Sequence, residues 1–148
     1  MANGRSWLIL AGWLSVAASL LHLGCIVGGG DWYRFFGAGE PLALAAERGE
    51  IWPHLITLAI AALLAIWAAY AFSGAGVLRR LPLLRTGLVV ITLIYLARGL
   101  VIVPLVVRQP AAATPFDYWS SVIVLGYGLA YAIGTWATWP ALRTRIAA

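Results

Sequence analysis

The sequence predicts an all-α integral membrane protein, a four-helix bundle with a long, partly helical outer loop between its first two spans. Three observations predict it. Of the 148 residues, 63% are hydrophobic and only 10% are charged, whereas soluble domains carry about a quarter charged residues. Four apolar runs are each long enough to cross a hydrocarbon core, which takes about 20 residues. The charges between those runs are sorted by sign, with basic residues gathered on one side and acids on the other. A single transmembrane domain over residues 1–148 is the expected organisation.

The first run, Trp7 to Val27, follows one arginine, Arg5, and is too long for a cleaved signal peptide. Its partner is expected over Pro53 to Phe72. Between them, Gly28 to Trp52 is long for a helix connection, and long connections are functional or disordered more often than short ones. Trp32, Tyr33, Phe35 and Phe36 argue for order at a membrane interface, and "PLALAAER" (Pro41 to Arg48) places a proline at a first helical position. Two short elements on the outer membrane surface are expected there, the first with Asp31 as its N-cap. The third run, Leu84 to Val107, follows the short connection "SGAGVLRRLPLLR", which makes runs two and three an antiparallel hairpin. The fourth covers Tyr118 to Trp139.

"YRFFGAG" (Tyr33 to Gly39) and "YAFSGAG" (Tyr70 to Gly76) are near copies. Each ends an apolar helix with aromatics and a glycine able to take a left-handed cap. No further matches surround them, so similar helix ends account for the likeness better than a duplication.

All ten basic residues are arginine. Arg5, Arg79, Arg80, Arg85, Arg143 and Arg145 fall on one side of the predicted membrane, and Arg34, Arg48 and Arg108 on the other. The positive-inside rule then places both termini in the cytoplasm of a multi-pass protein of the bacterial inner membrane. All five acids, Asp31, Glu40, Glu47, Glu50 and Asp117, lie on the outer side. Membrane topology accounts for the net charge of +5, so no nucleic-acid partner is implied. One cysteine, Cys25, excludes an internal disulfide, a CxxC redox pair and a four-cysteine zinc site.

Most polar residues within the runs read as packing. Gly12, Ser15, Ser19, His22 and Cys25 share a helical face, as do His54, Thr57, Ala61, Ala65 and Ala68. Ser121, Gly128 and Thr135 lie on one line, and Gly126, Ala130 and Gly134 form a small-residue ladder. Such faces let helices approach, within one chain or between copies and partner proteins. Arg98 stands apart. It lies about 14 Å below the outer end of its run at 1.5 Å per residue, where an arginine costs ~2.5–3.5 kcal/mol on insertion scales. It either reaches up to the interface, towards Asp117 or Asp31, or anchors an anionic ligand group. His22 and His54 fall in the same leaflet, and with Cys25 they could ligate a transition metal, or as a pair hold haem. But His54 has no motif partner and the depths differ, so hydrogen-bonded packing is the first expectation; no metal site is assigned and the cofactor stays open.

Small multidrug exporters need a carboxylate in the first span, and quinone-linked thiol oxidases need several cysteines; this chain has neither. The runs "GGGDWYRFFGAGE", "YLARGLVIVP" and "FDYWSS" resemble a group of small bacterial four-span membrane proteins without an assigned activity, and the likeness implies the architecture alone. The favoured function is an outward-facing polar pocket built from His22, His54, Tyr95, Arg98, Asp31, Asp117 and Ser121. It would bind or help to move a membrane lipid or another lipophilic molecule, such as an isoprenoid or quinone. Two alternatives stand beside it. One is a membrane enzyme using histidine and arginine on a lipophilic substrate. The other is an accessory subunit packing through its small-residue faces.

Overall fold

A computed structural model of the chain describes residues 2–143, so Arg145 and the terminus at Ala148 lie outside the described residues. The protein is all-α, with six α-helices and no strand among the described residues: α1 (Ala2–Phe35), α2 (Glu40–Glu47), α3 (Trp52–Gly74), α4 (Leu84–Leu100), α5 (Ile102–Arg108) and α6 (Pro115–Thr138). Short 3₁₀ turns cover Pro110–Ala112 and Ala141–Arg143. Four segments are long and apolar enough to cross a membrane: Asn3–Phe35, Trp52–Gly74, Leu84–Arg108 and Pro115–Thr138. They contain the first three expected runs and all of the fourth but Trp139, and the protein is a multi-pass, four-helix membrane protein.

Two of these segments are broken, each for a local reason. Within α1, Gly29 has φ 65° and ψ −150°, a conformation that is open to glycine and strained for other residues. The helix restarts after it, so Asp31 lies inside the final turn and pairs with Arg34 at 3.4 Å instead of opening a separate helix. Between α4 and α5 the break falls at Val101. Pro104 has no N–H to offer the Leu100 carbonyl four residues earlier, and its ring crowds that carbonyl. The expected third span is therefore two helices.

Three helices close with the same motif, in which a left-handed glycine turns the last carbonyls onto following N–H groups. After α1, Gly37 N donates to Arg34 O and Ala38 N to Tyr33 O, with φ 68° at Gly37. After α2, Gly49 N donates to Ala46 O and Glu50 N to Ala45 O. After α3, Gly76 N donates to Ser73 O and Val77 N to Phe72 O. The two "GAG" copies thus close their helices at different letters. The first uses its leading glycine, Gly37, and the second its trailing glycine, Gly76, while Gly74 is still helical.

The chain divides into two compact units, Met1–Leu14 with Trp67–Ala148, and Ser15–Ile66. In the first, glycines set how close the helices come. A Cβ on Gly99 would stand 2.8 Å from the Leu125 backbone, and one on Gly128 would stand 2.7 Å from the Leu96 side chain, so α4 and α6 are nearly in backbone contact over that stretch. Gly134 and Gly74 make room for Leu8 in the same way, and Leu8 is fully buried. Ala130 and Gly134 are buried within this unit, whereas Gly126 is exposed. An aromatic group fills the middle: Tyr95 contacts Trp67, Tyr127 and Tyr131 with centroids 4.9–5.5 Å apart, and Tyr131 donates to the Trp67 carbonyl at 2.9 Å.

The second unit is built on the rest of α1, α2 and the first part of α3. Ser19 donates to the Ala61 carbonyl at 2.8 Å and joins the two long helices. Cys25, Tyr33 and Ala43 form a small core against which Phe36, Leu42 and Ala46 pack. The "GGG" triplet makes this possible. The Trp32 ring lies across Gly28, where a Cβ would be 2.1 Å from it, and Glu47 lies over Gly30.

Candidate ligand-binding sites

The seven residues singled out in the sequence fall in both units. In the second unit, His22 is a packing residue: its Nδ1–H donates to the Ala18 carbonyl at 2.8 Å, one turn back in its own helix. His54 shares a 3.2 Å hydrogen bond with Tyr33, between Nδ1 and the phenol oxygen. Tyr33 is 1% exposed, so it is a core residue rather than the interfacial aromatic its neighbours suggest. Asp31 is exposed and belongs to the Arg34 network.

That network was not legible as a unit in the sequence. Arg34 donates two bonds to Glu40 from Nε and Nη2 at 2.9 Å each, and it pairs with Glu47 through Nη1 and Nη2. A guanidinium holding two carboxylates in this forked way is a charge-assisted clasp, here between the end of α1 and both ends of α2. Hydrogen bonds from Arg34 hold the Glu40 and Glu47 carboxyls below the ordinary carboxylate range. Glu50 is lowered likewise, first by Arg48 and then by Trp52, whose Nε1 donates to it at 2.6 Å. The one sequence signal was the spacing of Glu40 and Glu47, two turns apart on "EPLALAAE".

In the first unit, Asp117 is engaged in capping. Its Oδ2 accepts from Thr114 N at 2.9 Å and from Thr114 Oγ1 at 2.7 Å, while Thr114 Oγ1 accepts from Asp117 N. With Pro115 behind the cap, this reciprocal box opens α6. Arg98 is exposed and forms no contact ion pair among the described residues; Asp117 feels its charge at longer range. The helix break puts Arg98 in the last turn of α4, still within the Leu84–Arg108 segment, where a cation meets the negative end of the helix dipole. Tyr95 is buried in the aromatic group. Ser121 is 2% exposed, and its hydroxyl has no partner among the described residues.

Two cavities in the first unit are lined by other residues. Beyond the tight contact at Gly128 and Leu96, α4 and α6 leave a groove of about 280 Å³ lined by Val89, Thr92, Leu93, Ala132, Thr135, Trp136 and Trp139. Its surface is almost wholly apolar, and the hydroxyls of its two threonines lie beneath that surface. Thr57, Thr92 and Thr138 each return their hydroxyl to the carbonyl four residues earlier, at 2.7–2.8 Å, as threonines in helices do. Thr135 is equally buried, and its Oγ1 has no partner among the described residues. Against Trp139, Arg85 is fixed twice over: its guanidinium carbon lies 4.4 Å from the ring centroid, and Nη2 donates to the Trp139 carbonyl at 2.7 Å. The second cavity, of about 460 Å³, lies where the start of α1 meets the α3–α4 connection and the end of α6.

No three His, Cys, Asp or Glu side chains converge on a metal-sized site among the described residues. No protein-family model, curated protein or solved structure matches this chain.

Proposed function

We propose that the protein binds an amphipathic molecule dissolved in the membrane, of the lipid, isoprenoid or quinone class. The apolar chain would lie in the groove between α4 and α6, and a polar oxygen would meet Thr135. The observation that carries this reading is the Thr135 hydroxyl. A buried hydroxyl without a partner costs about 1–3 kcal/mol, and its three counterparts avoid that cost by bonding to their own helix. A ligand oxygen would recover it. The groove volume of about 280 Å³ is at the lower edge of the ~300–1,000 Å³ usual for ligand pockets, enough for part of a chain. Arg85, held against Trp139, favours an anionic or strongly polar end beside it.

The sequence-based expectation placed such a ligand around Arg98. The groove is nearer the other end of α4, so the proposal keeps the ligand class and moves its seat. The same reading places the protein in a bacterial cytoplasmic membrane with its arginine-rich end in the cytoplasm, supported by the distribution of loop charges.

Protein purified in mild detergent and extracted for mass spectrometry tests the groove. Wild type is expected to carry a stoichiometric amphiphile. Ala132→Phe, which fills the groove, should lose it, and Thr135→Val, which removes only the hydroxyl, should retain about 2- to 10-fold less. Equal amounts in all three proteins would refute the groove as the binding site.

A further inference from the structure

We infer that the second cavity, at the arginine-rich end of the first unit, is a binding site for a phosphate group, carried either by a lipid headgroup or by a soluble phosphate compound. Its walls come from three places. Arg5 stands at the start of α1, Ser73 to Arg80 lead out of α3, and Ala137 to Leu142 finish α6. Gly4 sets the first wall, because a Cβ there would be 2.7 Å from Ala137 and 3.0 Å from Thr138.

Among the described residues, the charge at this cavity meets no acidic side chain. Arg5 and Arg80 line it, with Arg79 and Arg85 adjacent in sequence to its lining. The one Asp or Glu in the sequence of the first unit is Asp117. That residue lies at the far end of α6, about 30 Å from Thr138 at 1.5 Å per residue. Arginines placed only to orient a membrane protein need no particular shape around them. Here Arg80 is fixed, with Nη2 donating to the Leu142 carbonyl, which leaves its other N–H groups for an acceptor. A guanidinium has five donors in a rigid fork that fits phosphate oxygens. Fixing it beforehand lowers the entropy lost on binding.

The hydroxyls of the lining are already engaged. Ser73 Oγ donates to Arg79 O and accepts from Leu81 N, and Thr138 donates to Gly134 O. Recognition therefore falls to the two guanidinium groups, which selects an anion over a neutral polar group. This inference stands apart from the groove, because it uses different residues and a different force.

The test is native mass spectrometry of the full chain in detergent with added phosphatidylglycerol, phosphatidylcholine or inorganic phosphate. Wild type should retain phosphatidylglycerol over phosphatidylcholine. Arg5→Gln and Arg80→Gln should each lower that retention about tenfold or more, while Arg108→Gln, which removes the same charge outside the cavity, should not. If Arg80→Gln fails to fold because the Leu142 bond is lost, Arg5→Gln leaves that bond in place and decides the matter. Displacement of phosphatidylglycerol by millimolar phosphate would assign the cavity to the phosphate group itself. Retention against phosphate would assign it to a lipid-borne headgroup. Unchanged retention in Arg5→Gln, or an equal loss in Arg108→Gln, overturns the inference. Loss in Thr135→Val with none in Arg5→Gln overturns it while sparing the groove.

Discussion

Arg34 is the side chain on which the first connection depends most, and its effect has a defined pH signature. Its hydrogen bonds lower the Glu40 and Glu47 carboxyls from the ordinary value of 4.5. A carboxyl lowered in the folded state adds stability that is fully present above its unfolded pKa and disappears as pH falls through the folded value. Backbone hydrogen exchange over residues 36–50, corrected for intrinsic rate, should thus show protection that is constant from pH 7 to about 4.5 and declines below it. Arg34→Gln should lower the protection at neutral pH and flatten the profile. A wild-type profile flat to about pH 3 would mean that the ion pairs contribute nothing. The sequence displayed all of these charges but not their pairing. Asp31, Arg34, Glu40 and Glu47 span a glycine cap and a helix start, and only the fold brings them to one point. Thr135 teaches the same lesson. The sequence put it on a line with Ser121 and Gly128, but a hydroxyl's lack of a partner belongs to the three-dimensional arrangement.

The helices were legible because their signals are long or local. Runs of about 20 apolar residues predict spans whatever their packing; the first two lie within single helices, the third covers two, and the fourth overruns its helix by one residue. Pro41 opened α2 within one residue of its expected place. The breaks were less legible. Pro104 was visible in a run that read as continuous, because a proline is tolerated in a membrane helix when neighbours satisfy the freed carbonyl. The two "GAG" segments make a contrast that substitution can measure. Gly37 and Gly76 have positive φ, where an L-alanine costs about 1–2 kcal/mol. Gly37→Ala and Gly76→Ala should each lower the unfolding temperature by that penalty. Gly74→Ala meets only the movable ends of Leu88 and Leu8, at 2.9 and 3.0 Å, and should act through packing, relieved by a second change of Leu88→Ala. If Gly37→Ala and Gly74→Ala, which align between the copies, were equivalent and both relieved in this way, the copies would be true repeats.

At the scale of the whole molecule, the sequence told most about class and sidedness and least about where a ligand would sit. Composition fixes the solvent of the chain, and loop arginines bias its orientation. Binding sites depend on where helices part, which follows from contacts such as Gly99 with Leu125 that no periodicity announces. Orientation is directly testable. Alkaline phosphatase fused after the last residue should be inactive in cells, and a green fluorescent protein fused there should glow; the opposite pair of results would invert the proposed topology.

The separation of Arg5, Arg79, Arg80 and Arg85 from Asp117 has an electrical consequence as well. A membrane potential acts on each charge moved across it with about 2.3 kcal/mol per 100 mV. Four arginines at one end then feel about 9 kcal/mol at 100 mV, several times the cost of losing one helix cap. With this end on the negative, cytoplasmic side of an energised membrane, as proposed above, voltage would hold it in place once inserted. Vesicles without a potential lack that hold, and there the chain should reconstitute in both directions.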